Sequence, residues 1–106
     1  MLMPDLLEEG VLLFNDAKFY EAHEVWEDLW RATAEPRLKT CYQGLIQAAV
    51  GLHHLGRGNP IGGRSQIGKA IRNLEAGAAA VVDIDIPGLI RQLGDGAPAV
   101  RIARLK

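Results

Sequence analysis

From about Arg37 to Leu55 the chain is apolar nearly all the way round a helix: Leu45, Ile46, Ala48, Ala49, Val50, Leu52 and Leu55 cover most of the circumference. Such a helix is stable only when other elements surround it. A chain of 106 residues has room for one domain. The segment therefore predicts a central helix with the rest of the chain packed around it. Helical period dominates elsewhere too, and neither strand alternation nor an internal repeat is found. The expected fold is all-α: residues 1–106 form a single-domain bundle of about four helices plus a short C-terminal helix, joined by short loops.

The punctuation divides the chain. A first helix, from about Pro4 to Phe14, places Met3, Leu7, Gly10 and Phe14 on one side, with Leu6 and Val11 flanking. Asn15-Asp16 reads as a break, with Asp16 a cap for the next helix. That helix runs from about Lys18 to Thr33 and stops at Ala34-Glu35-Pro36, because the residue before a proline resists helix. After the central helix comes Gly56-Arg57-Gly58-Asn59-Pro60. Gly58 suits a left-handed stop, Asn59 a cap, and Pro60 the first position of a fourth helix, which extends to about Val82. A short helix from Pro87 to Leu93 follows, stopped by Gly94. The stretch 95–106 is weakly patterned and reads as a loose tail, or as one borrowed by a neighbour.

A net charge of −1 exerts no global pull toward nucleic acid or anionic lipid. No apolar run is long enough to span a bilayer, and no signal peptide is visible at the start. Cys41 is the only cysteine, so no intrachain disulfide forms, which fits a cytoplasmic setting. Off the polar stripe and without an activating base, it reads as an inert buried thiol. The expected partners are neither nucleic acid nor membrane. A small domain has a thin stability margin, and oligomerising recovers some of it, so a homo-oligomer such as a dimer is expected.

The chemistry concentrates on the second helix. His23 and Glu27 lie one turn apart on the face that carries Phe19, Trp26 and Trp30, which aims an imidazole and a carboxylate at the interior. An unpaired charge there is costly, so the pair needs a partner. The third helix offers a polar stripe of Thr40, Gln43, Gln47 and His54. The short link between the helices makes them antiparallel neighbours, so the two faces can meet. His23, Glu27 and His54 would then form a ligand set for a divalent transition metal: zinc, manganese, nickel or iron. The ion would activate water, with Glu27 as an alternative general base. Gln47 would orient an imidazole or a ligand.

Each feature also has a plainer reading. His23 and Glu27 can pair with each other, with Gln47 closing a core hydrogen-bond network. The domain would then be a non-enzymatic module for self-association or partner binding, supported by the small residues Gly63, Ala70, Gly77 and Ala78. Trp26 and Trp30 read as core anchors. His53 points away from His54. Arg57, Arg64, Lys69 and Arg72 read as a solvated face. His23-Glu24-Val25-Trp26-Glu27 is not a zinc-protease helix, since Glu27 stands where the second histidine belongs.

Three blocks also carry a family resemblance: Phe14-Asn15 with Phe19 through Trp30; Gln43-Gly44-Leu45-Ile46-Gln47-Ala48-Ala49; and His54 with Gly58-Asn59-Pro60 and Gly63. With them the chain resembles the domain of unknown function 309 family. The resemblance implies an all-helical fold and a metal-dependent hydrolase, with no substrate implied. His23, Glu27, Gln47 and His54 match the motif positions.

Overall fold

Capping chemistry sets most of the helix starts. In α1 (Leu6–Asn15) the Asp5 side chain accepts from the Glu8 amide. In α3 (Pro36–Gly56) Glu35 accepts from the amides of Arg37 and Leu38, and Pro36 occupies the first turn. In α4 (Pro60–Gly77) Asn59 accepts from Gly62, again ahead of a proline. In α5 (Ile86–Asp95) Asp85 accepts from Gly88. Each bond satisfies an amide that the helix itself leaves without a partner. The exception is α2 (Phe19–Ala32), which has no side-chain cap. Asp16 does not cap it; Asp16 ends α1 instead. The computed structural model describes residues 5–105, so the expectations placed on Met3 and Pro4 lie outside the described residues.

Left-handed residues close α1, α3 and α5. After α3, Gly58 has φ +77°, and the amides of Gly58 and Asn59 return to the carbonyls of Leu55 and His54. The same pair of bonds closes α1, where Ala17 and Lys18 donate to Phe14 and Leu13. There the left-handed residue is Ala17, at φ +59°. A Cβ is strained in that region and glycine is not. Ala17→Gly is therefore expected to stabilise the domain by about 0.5–1 kcal/mol, read as a rise in the urea midpoint. The stop for α5 is Gly96, at φ +66°, rather than Gly94. The fourth helix is shorter than its sequence pattern and passes at Gly77 into a 3-10 turn, Ala78–Ala80.

The helices pack as consecutive antiparallel pairs. Lys39 at the start of α3 meets Trp30 at the end of α2, while His53 at the end of α3 meets Tyr20 at the start of α2. As expected, α3 is central and contributes eight buried residues. Gly44, Gly51, Gly63 and Gly77 line the α3–α4 seam, where an added Cβ would fall within 3.0 Å of the opposite helix. The small residues that suggested association between chains are thus largely used within this one. Trp26, Phe14, Leu45, Leu74, Ile86 and Leu89 fill the core.

The stretch beyond α5 is not loose. Val100 and Ile102 are buried. Asn15 brackets Ile102, donating to its carbonyl at 2.9 Å and accepting from its amide at 2.7 Å. Gln92 does the same for Arg101, at 2.8 Å each way. Arg104 pairs with Ile84 across an isolated antiparallel bridge and reaches Glu8. The ties from Asn15 and Glu8 come from side chains 87 and 96 residues away in sequence, so a weak local pattern conceals them. No helix among the described residues is long and apolar enough to cross a membrane.

Candidate functional site

One turn of α2 brings His23 and Glu27 together as their spacing requires, with Nε2 and Oε1 3.2 Å apart. The other ring nitrogen, Nδ1, lies 2.6 Å from the Tyr20 carbonyl oxygen. A carbonyl only accepts, so Nδ1 carries the proton and Nε2 is directed at the carboxylate. A second proton or a cation between Nε2 and Oε1 makes that contact favourable.

The pair stands at the mouth of the seam rather than in the interior. The imidazole is 16% exposed and the carboxylate 45%, and no polar or charged residue among those described is fully buried. Helix period placed both groups on the inner side of α2, but α3 does not cover the edge of that face. An exposed i,i+4 pair is worth only about 0.3–0.5 kcal/mol, too little for a core fastener. Solvent access is what chemistry at this pair needs.

The other residues expected at the site are placed as follows. Tyr20 lies between two imidazoles, its ring centroid 4.8 Å from His23 and 5.3 Å from His53. The residue linking α3 to this cluster is therefore His53, which sequence reasoning set aside. His54 is half-buried, and its ring centroid is 6.2 Å from that of His53. Among the described residues no three His, Cys, Asp or Glu side chains gather where they could hold one ion. Gln47 turns to α4, where its Oε1 accepts from Asn73 Nδ2 at 2.7 Å. Asn73 was missed, although its spacing of three from the buried Ala70 and four from the buried Gly77 was a usable signal.

Beyond Glu27 the seam continues as a shallow depression of about 370 Å3 bordered by Trp30, Lys39, Thr40, Gln43 and Asn73. The Lys39 ammonium sits 3.7 Å from the Trp30 ring centroid and donates to the Trp30 carbonyl at 3.1 Å. Cys41 is fully buried, and burial pushes its thiol up to about 12. The thiolate needed for nucleophilic chemistry is thereby suppressed.

The fit to a divalent ion is partial. Nitrogen and oxygen ligands about 2.0–2.2 Å from zinc stand roughly 3.0–3.5 Å from one another on the same ion. The 3.2 Å separation matches that bite, and the Nδ1–H to carbonyl bond is the usual way an imidazole ligand is oriented. Two protein donors, however, are fewer than the three of a catalytic zinc site.

The domain of unknown function DUF309 matches residues 7–66. An uncharacterized protein of Aquifex aeolicus is 37% identical over 70 residues, covering 66% of this chain and 21% of the relative. The uncharacterized protein YpuF of Bacillus subtilis is 34% identical over 68 residues, covering 64% of this chain and 39% of the relative. The matched region is thus well under half the length of either relative.

Proposed function

We propose that this chain, which belongs to the DUF309 family, binds a divalent transition metal between His23 and Glu27 and serves as a small metal-dependent hydrolase. The observation that carries the reading is the 3.2 Å His23–Glu27 bite beside solvent, with Nδ1 anchored on the Tyr20 carbonyl. A bound ion would supply Lewis acidity to activate water toward an ester, amide or phosphoester. His23 and Glu27 hold the position. Tyr20 fixes the tautomer through its carbonyl and shields one side of the ring through its phenol. With two protein ligands the site is weak and exchangeable. His54 is a third ligand only if its side chain swings toward His23, and Gln47 acts by tying α3 to α4 through Asn73.

Binding can be measured apart from activity. Protein prepared without a metal-affinity tag is expected to melt about 5 °C higher with zinc, manganese, nickel or iron at ten times the dissociation constant, which corresponds to about 1.4 kcal/mol. His23→Ala and Glu27→Ala should abolish the shift. A shift that survives in His54→Ala means two protein ligands, and one that disappears there means three. If none of the four metals raises the melting temperature at millimolar concentration, the reading is overturned.

A second reading, a non-enzymatic module that assembles with another copy, is favoured by the exposure of Leu12 (61%), Ile61 (81%) and Val82 (60%). It expects a concentration-dependent dimer in sedimentation and no metal-dependent shift. A strict monomer at high concentration removes it.

A further inference from the structure

Where the α1–α2 turn, the end of α3 and the C-terminal stretch meet, they enclose an open groove of about 550 Å3. This is within the range of small-molecule sites. Its walls include Phe14, Phe19, Leu52, Leu55 and Val100. Ala97, Pro98 and Ala99 form part of the rim, and Pro98 has no amide hydrogen to donate. A smaller space of about 70 Å3 shares Leu52, Leu55, Ala97 and Val100 and extends toward Ile67 and Leu93.

The groove is built in advance of any ligand. Asn15 and Gln92 hold the backbone of residues 101–102 from two different helices. Those bonds also use up the amide of Asn15, one of the few polar side chains in the lining. What remains is Arg101. Its backbone is clamped, its side chain is exposed, and its guanidinium makes no hydrogen bond or ion pair among the described residues. An apolar trough with one unpaired cation at its edge is complementary to a molecule with an apolar body and one anionic end.

We infer that this groove binds a small amphiphilic monocarboxylate, with its alkyl or aromatic body against Phe14, Phe19, Leu52 and Leu55 and its carboxylate on Arg101. Phe14, Phe19, Leu52 and Leu55 lie within the family-matched residues 7–66, whereas Arg101 and the wall formed by residues 97–100 lie outside them. The groove is separate from the His23–Glu27 pair, and either can fail without the other.

Decanoate, kept below its micelle concentration, tests the assignment by calorimetry. It is expected to bind saturably, and decanol roughly tenfold more weakly for want of the charged hydrogen bond. Arg101→Gln, at an exposed side chain, should lower decanoate to the level of decanol. Ala97→Phe should abolish binding of both by filling the groove. Ala99→Trp, at the exposed rim, replaces it if circular dichroism shows that Ala97→Phe is unfolded. Absence of decanoate binding would overturn the assignment, as would binding that both Arg101→Gln and the blocking variant leave unchanged. A wild-type dimer that the blocking variant dissociates would also overturn it, since the occupant would then be a second copy.

Discussion

Trp26→Ala is expected to remove a large share of the stability of the domain. Trp26 is completely buried, lies 5.7 Å from the Phe14 ring, and donates from Nε1 to the Leu7 carbonyl at 3.3 Å. Truncating a buried tryptophan costs about 3–5 kcal/mol, against a total of about 5–15 kcal/mol for an ordinary domain. The urea midpoint should fall by roughly a third or more, and Trp26→Phe should lose less. An internal control is available at Gly10, where a Cβ would lie 2.0 Å from Trp26 Nε1. Gly10→Ala should therefore be costly with the indole present and nearly harmless in Trp26→Ala, a coupling that a double-mutant cycle reads directly. Equal cost in both backgrounds would mean that α1 does not rest on the indole.

Gly77→Ala is expected to destabilise by about 2–3 kcal/mol, although alanine gains about 1 kcal/mol over glycine in a helix. The new Cβ would stand 2.7 Å from the Cys41 amide nitrogen and 2.8 Å from the Arg37 carbonyl oxygen. Both are backbone atoms of α3, so no side-chain rotation relieves the clash, and α4 must move. Gly68 on the same helix provides the contrast. Its Cβ would meet only the Arg72 guanidinium, at 3.9 Å, so Gly68→Ala should stabilise by about 0.5–1 kcal/mol. Thermal or urea unfolding of the two variants checks the sign as well as the size. Equal effects would contradict the close approach of α3 and α4.

Local chemistry made much of this fold legible. Asn59 before Pro60, Gly58 at a left-handed turn and the all-round apolar Leu45–Leu55 run each behave as their residue types require, because capping, φ and burial are decided within a few residues. Asp16 and Gly94 were misread for a related reason. Short-range preference favours aspartate as a cap, yet Asp16 is used to end α1 and α2 starts after Lys18 with no side-chain cap; between Gly94 and Gly96 the same preference does not choose, and the left-handed residue is Gly96. The candidate site was half legible. An i,i+4 spacing makes His23 and Glu27 neighbours in any helix. Whether His53 or His54 joins them depends on the rotation of α3 about its axis, which is set by the packing of Gly44 and Gly51 against α4. That packing also turns Gln47 to Asn73.

By itself the sequence determined the helical class, the order of the helices, the family and the adjacency of one acid and one imidazole, since all of these follow from near-neighbour spacing and side-chain type. The three-dimensional packing alone decided that Glu27 faces water, that Asn15 and Gln92 bind the C-terminal stretch, and that an apolar groove opens beside Arg101. These depend on how whole helices are rotated and stacked against one another rather than on any local preference.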